Sequence, residues 1–144
     1  MTRPSNDEAA IRAVIEARAE ALRAKNAERV VAHHAPDFVL FSLAPPLISE
    51  DATVAGLNAW FATWEGPLGY AFKDLSIAAS GDVAYGTGLV RMTGTSTGGE
   101  KTDLWFRVTL GLRKTGGVWK IAHEHESVPF YMDGSYKAAV DLKP

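Results

Sequence analysis

Two histidines and two glutamates alternate in the run His123-Glu124-His125-Glu126. In an extended chain this puts both imidazoles on one face and both carboxylates on the other. Imidazoles spaced this way suit acid–base work near neutral pH, or metal ligation. Two histidines alone make a poor metal site, and the adjacent pair His33-His34 points in different directions, so no metal is expected. No cofactor is expected either, because the glycine doublets match no phosphate-binding loop, and Gly116-Gly117 joins two strand-like runs. The candidate acids and bases are therefore Glu126, His123 and His125. Arg107 can face Glu126 across a hairpin as a guanidinium–carboxylate pair in a pocket; the plain alternative is a surface ion pair worth about 0–1 kcal/mol. Arg91 stands among apolar and small residues in Leu89-Val90-Arg91-Met92, and an inward charge there would need a partner or a ligand. Trp60, Phe61 and Trp64 are aromatic residues of the kind that fill a core or form one wall of a pocket.

These residues must be positioned by a helical first part and a strand-rich second part. Ser5-Asn6-Asp7-Glu8 has the pattern of a capping box opening a helix. Ile11, Val14, Ile15 and Leu22 follow at helical spacing, with Arg12, Glu16, Arg18, Glu20 and Arg23 read as the solvated face. Asn26 caps a short second helix ended by Pro36. Asp37–Leu43 reads as a strand stopped by Pro45-Pro46, and a third helix over 53–65 presents Leu57, Trp60, Phe61 and Trp64 on one broad face. Four β-rich runs then cover 70–79, 83–95, 101–114 and 118–130, separated by glycine-containing turn signals. Helices followed by a strand meander argue for an α+β domain spanning 1–144: a helical layer over 5–65, a sheet over 68–130 and a tail over 131–144.

The final hairpin carries most of the information. With Gly116-Gly117 as a two-residue turn, Arg113 pairs with Lys120, Leu110 with His123, Val108 with His125 and Arg107 with Glu126. One face then holds Phe106, Val108, Leu110, Trp119, Ile121, His123 and His125; the other holds Trp105, Arg107, Thr109, Glu124 and Glu126. A one-residue bulge would exchange the partner faces.

The chain has 15 basic and 17 acidic residues among 144 and a formal net charge of −2, which gives no electrostatic reason to expect nucleic acid. Cysteine is absent, which excludes disulfides and thiolate metal sites and fits a cytoplasmic protein. No apolar run approaches the roughly 20 residues a membrane span requires, and no membrane partner is expected.

Residues 21–38, the strand Val90-Arg91-Met92-Thr93 and the ending Gly117-Val118-Trp119-Lys120-Ile121-Ala122-His123-Glu124-His125-Glu126-Ser127 together resemble the nuclear transport factor 2-like superfamily. Its cone-shaped α+β barrels include ketosteroid isomerases, SnoaL-type polyketide cyclases, scytalone dehydratases and the association domain of calcium/calmodulin-dependent kinase. The ending looks closest to the SnoaL-like and kinase-association-like branch. The resemblance implies about three N-terminal helices behind a curved antiparallel sheet. It places the isomerase's general-base position on Ser42 and its phenolic position on Arg18, so ordinary ketosteroid isomerase chemistry is disfavoured. In the kinase-association branch, Arg91 matches a pocket arginine, and Thr109 and Glu126 fall where others would be.

The expected function is that of a pocket protein binding a small apolar or anionic compound with a carbonyl or carboxylate. Its chemistry, if any, is proton transfer of the isomerase, cyclase or dehydratase type. Arg91, Arg107, Thr109, Trp60, Trp64 and Glu126 are the expected ligand-binding residues. The alternative is a non-catalytic association module with a vestigial pocket. Large side chains on both faces of the last two strands predict a homodimer through the outward sheet face. Residue chemistry alone turns His123 and His125 toward the helices. The resemblance implies the reverse, a pocket in which Arg91 meets Glu126 or Glu124 while the histidines lie near a subunit interface; we adopt the second expectation.

Overall fold

A computed structural model describes residues 6–144; Ser5, the proposed capping residue, lies outside them. Helix α1 (Asn6–Arg23) and the short α2 (Ala27–Ala32) precede β1 (His34–Phe41), and α3 (Val54–Phe61) precedes the long strands β2 (Trp64–Ser80), β3 (Val83–Ser96), β4 (Lys101–Thr115) and β5 (Val118–Ser127). The strands form one curved, open sheet in the order β1-β5-β4-β3-β2. Neighbours are antiparallel except β1, which runs parallel to β5 at the sheet edge. The mixed α+β architecture is the one expected.

Local chemistry sets the element boundaries. Asn26 accepts from the Arg29 amide at 3.1 Å and Thr53 accepts from the Gly56 amide at 3.0 Å, each satisfying a donor that a helix start leaves unpaired. Helix α3 ends earlier than the expected residue 65. The Thr63 hydroxyl donates to the Trp60 carbonyl at 2.6 Å, and β2 begins at Trp64, which pairs with Ser96. Trp64 then packs against β3, where a Cβ on Gly94 would stand 2.8 Å from its ring, so the close approach requires glycine there.

The inner sheet face and α1 share one core. Ile11, Ile15, Ala19 and Leu22 of the helix cluster with Val90, Phe106, Val108, Leu110, Leu112, Trp119 and Ile121 of the sheet. Asp7 in the first turn of α1 accepts from Lys114 Nζ and Trp119 Nε1, both at 3.1 Å. Those bonds tie the start of the helix to the β4–β5 hairpin. They also hold the Asp7 carboxyl below its ordinary pKa.

The decisive detail is in β5. Arg113 pairs with Lys120 as expected, and Leu112 with Ile121, but Gly111 then pairs with His123, leaving Ala122 as an extra residue. Past this bulge Leu110 faces Glu124, Thr109 faces His125 and Val108 faces Glu126. Ile121 and Glu124 are both buried, so the bulge turns the two glutamates inward and the two histidines outward. Regular alternation from Ile121 would have done the opposite.

Candidate active site

Between α1, α2, α3 and the inner sheet face lies a cavity of about 500 Å³, a size ordinary for small-molecule sites. Its walls are mostly apolar, with Leu22, Val30, Phe38, Leu57, Trp60 and Met92 among them. The loop from β1 to α3 closes one side through Leu43, Ala44, Pro45, Asp51 and Ala52. Into this apolar space project Arg18, His34, Tyr70, Glu124 and Glu126.

Arg18 is only 2% exposed although it sits on a charged-looking helix. It falls on the stripe Ile11, Ile15, Arg18, Leu22, which is the face α1 turns to the sheet. Its Nη2 donates to Glu124 Oε1 at 2.5 Å, and its Nη1 lies 3.5 Å from Oε2 and 3.1 Å from His34 Nε2. Burial alone would lower the guanidinium pKa, but Glu124 more than compensates and Arg18 is held as a firm cation. Because Arg18 can only donate, His34 Nε2 must accept, and the imidazole is neutral with its proton on Nδ1. Burial, with the Arg18 and His33 charges adding to it, pushes the His34 pKa down to about 3. The ring stacks on Phe38 with centroids 3.8 Å apart, which fixes its plane.

Glu126 is the member without a matched cation. Burial and, next, the neighbouring Glu124 charge raise its pKa to about 8, while Arg18 and the Leu43 backbone amide pull back less strongly. Near neutral pH it is therefore chiefly a protonated carboxylic acid, able to give a proton as an acid and, once ionised, to take one as a base. Tyr70 is buried in the same wall, and burial plus the two carboxylates push its pKa well above the usual 10. It stays a neutral phenol. The arrangement is one buried ion pair, a neutral imidazole, a phenol and a titratable carboxyl facing an apolar cavity. That set is suited to moving a proton on a bound organic molecule.

The sequence family described as the SnoaL-like domain matches residues 11–131. The chain belongs to the SnoaL-like domain family. Among solved structures, an NTF2-like protein of unknown function from Pseudomonas putida KT2440 is 31% identical, with a TM-score of 0.84 over 99% of this chain and 100% of that one. A ketosteroid isomerase-like protein from Erwinia carotovora atroseptica is 24% identical, with a TM-score of 0.72 over 86% and 97% of the two chains. A candidate scytalone dehydratase from Novosphingobium aromaticivorans is 19% identical, with a TM-score of 0.72 over 84% and 83%. No curated protein matches the chain. These likenesses show the fold, and they leave the chemistry of this SnoaL-like domain to its own side chains.

Of the residues singled out from sequence, Glu126 and Trp60 line the cavity. Trp64 stands behind Trp60, edge-on with ring centroids 5.9 Å apart, and packs against the core. The three positions Arg91, Arg107 and Thr109 require a correction, for they lie on the opposite sheet face. The buried inward side chains of β3 and β4 are Val90, Phe106, Val108 and Leu110, and strand alternation turns their neighbours outward. Arg91 has a side chain 48% exposed and is paired with Asp103 through bonds of 2.9 and 2.8 Å. Arg107 donates to Ser127 at 3.1 Å, and Thr109 is exposed opposite His125.

His123 and His125 also lie on the outer face, edge-on to Phe41 at 4.9 and 5.3 Å, and His123 Nδ1 meets the Val39 carbonyl at 2.7 Å. Ser42 borders the cavity with its hydroxyl donating to the Ala44 carbonyl at 3.0 Å. The inward cation is Arg18, which sequence reading assigned to the solvated face. Its place on the apolar stripe of α1 was the available signal. Tyr70 and His34 gave a weaker one, as polar residues within otherwise apolar patterns.

Proposed function

We propose that this SnoaL-like domain binds a small, mostly apolar carbonyl compound in the cavity and catalyses proton transfer on it, with Glu126 as acid and base. The observation that carries this reading is the Glu126 carboxyl, poised at a pKa of about 8 on the wall of an apolar cavity. As a carboxylate it takes a proton from the carbon next to the carbonyl, and the Tyr70 phenol donates to the oxygen on which negative charge develops. The protonated Glu126 then returns that proton to another carbon, or to a departing hydroxyl as water forms. Isomerisation and dehydration are thus two outcomes of one enolate. Arg18 is bonded to Glu124 and His34, and it acts by fixing those groups and setting the local field.

The test is exchange of the acidic α-protons of 2-tetralone in D2O, followed by NMR. Exchange above the buffer rate, falling about 10²–10⁴-fold in Glu126→Gln, supports the reading, since positioned acid–base groups contribute that much. Exchange no faster than buffer, or unchanged by the substitution, contradicts it.

The outer sheet face supports a homodimer as a further part of the proposal. Tyr85, Val39 and the Phe41–His123–His125 cluster expose aromatic and apolar surface beside Trp105 and the Arg91–Asp103 pair. Such a surface is covered when a second copy meets it across a two-fold axis. A cytoplasmic setting accords with the lack of cysteine.

A further inference from the structure

The charge count of the cavity goes beyond its capacity for proton transfer. Among the described residues, its lining holds one permanent cation, Arg18, and three carboxyl groups: Glu124, paired with Arg18; Glu126, chiefly protonated near neutral pH; and Asp51 on the exposed loop at its edge. Arg18 is already spent on Glu124 at 2.5 Å, with His34 Nε2 as a second acceptor at 3.1 Å. His34 contributes no compensating charge, because accepting from Arg18 leaves it neutral. An organic anion entering this space would be a further carboxylate around one engaged guanidinium, desolvated by Leu22, Val30, Phe38, Leu57 and Trp60. Burying a charge without its own counter-ion is costly, and like charges add to that cost. An organic cation fares little better. To be neutralised it must ionise Glu126 beside Glu124 and approach the fixed Arg18 charge. An uncharged molecule meets neither penalty, and the hydrogens of Tyr70 and of protonated Glu126 suit a carbonyl oxygen.

We infer that the cavity is selective for uncharged, acceptor-bearing aromatic or alicyclic compounds and rejects their carboxylate analogues, because the inward cation Arg18 is committed to the inward carboxylate of Glu124. This inference rests on the proposed ligand cavity, and it narrows the substrate class to neutral ketones or esters.

The experiment uses isosteric probes on one ring system: 2-acetylnaphthalene, 2-naphthoate and 2-naphthylmethylamine. Affinities for the full chain are measured by calorimetry at pH 7. The expected result is that the ketone binds at least ~10-fold more tightly than either charged probe, the minimum expected for an unpaired charge carried into an apolar site. Glu124→Gln frees the guanidinium and is expected to raise naphthoate affinity relative to the ketone by a similar factor. Should that variant fail to fold, the wild-type ranking decides alone. Naphthoate or the amine binding as tightly as the ketone would overturn the inference while leaving the cavity as a binding site. None of the three binding at millimolar concentration would overturn the ligand-cavity reading itself, and the selectivity with it. Turnover is a separate readout, so a ketone that binds without α-proton exchange would contradict catalysis and support the selectivity.

Discussion

Replacing Arg18 with methionine keeps the length and apolar stem of the side chain but removes the cation between Glu124 and His34. Glu124 is 5% exposed and its carboxylate takes a 2.5 Å bond from Arg18, so the substitution leaves a buried carboxylate without its counter-ion. Breaking one partner of such a pair costs about 3–5 kcal/mol, which for a chain of this size lowers the melting temperature by roughly 10–15 °C. The loss has a definite sign with pH. Without Arg18, an ionised Glu124 is buried with no counter-ion, a cost that only the charged form bears. Protonation therefore relieves the penalty, and the variant's deficit is larger at pH 8 than at pH 5. Removing both charges, as Arg18→Met with Glu124→Leu, replaces the pair with apolar groups of similar volume. The double variant is expected to return to within about 1–2 kcal/mol of the wild type. Urea unfolding followed by tryptophan fluorescence at both pH values, on the two single variants and the double, gives the full cycle. A deficit below about 0.5 kcal/mol for Arg18→Met, as for an ordinary surface substitution, would refute the buried-pair account.

Further substitutions probe the remaining features. Glu126 has a folded pKa raised to about 8 from the ordinary 4.5, so its contribution to stability is present below the unfolded value and lost as pH rises through the folded one. At about 1.4 kcal/mol per unit, reduced for partial contact with cavity solvent, the wild type should lose on the order of 2–3 kcal/mol between pH 5 and 8.5. Glu126→Gln should flatten that decline in urea titrations, and an unchanged slope would count against the assignment. Gly94→Val places a Cβ where Trp64 lies 2.8 Å away and should cost about 1–3 kcal/mol by overpacking, with a blue or red shift of tryptophan emission as the sign of a displaced ring. Arg91→Ala, on the outer face, should change stability by no more than about 1 kcal/mol and leave probe binding unaltered; lost binding would restore Arg91 to the site. Sedimentation at micromolar concentration should give about twice the 15.5 kDa chain mass, and a lone monomer would remove the dimer proposal.

The elements were legible because their signals are local. Turn glycines, Asn26 as a cap, and apolar periodicity lie within a few residues of the structure they specify. Boundaries set by tertiary packing were less so. Trp64 reads as the end of a helical aromatic face, yet it opens β2, where it pairs with Ser96 and Gly94 leaves room for its ring. The site depended on a feature with no local signature. Ala122 is an ordinary residue in an alternating run, and only the pairing of its neighbours, Ile121 with Leu112 and His123 with Gly111, leaves it as the extra residue of a bulge. That one residue decides whether histidines or glutamates face the cavity. The expectation that the glutamates turn inward agrees with the structure; the cation they meet is Arg18, where Arg91 was expected. An arginine in an alternating acid–base pattern on a helix looks solvated unless its place on the Ile11–Ile15–Leu22 stripe outweighs its charge.

Glu126 as the neutral, titratable carboxyl of the cavity is the centre of the account, and its own titration tests it most directly. Side-chain carboxyl carbons of uniformly labelled protein can be followed by NMR from pH 4 to 10, with the Glu126 resonance assigned by its absence in Glu126→Gln. A midpoint near 8 is predicted. A midpoint in the ordinary carboxylate range of about 4–5 would mean that Glu126 is a solvated surface charge, and the proposed proton transfer would fall with it.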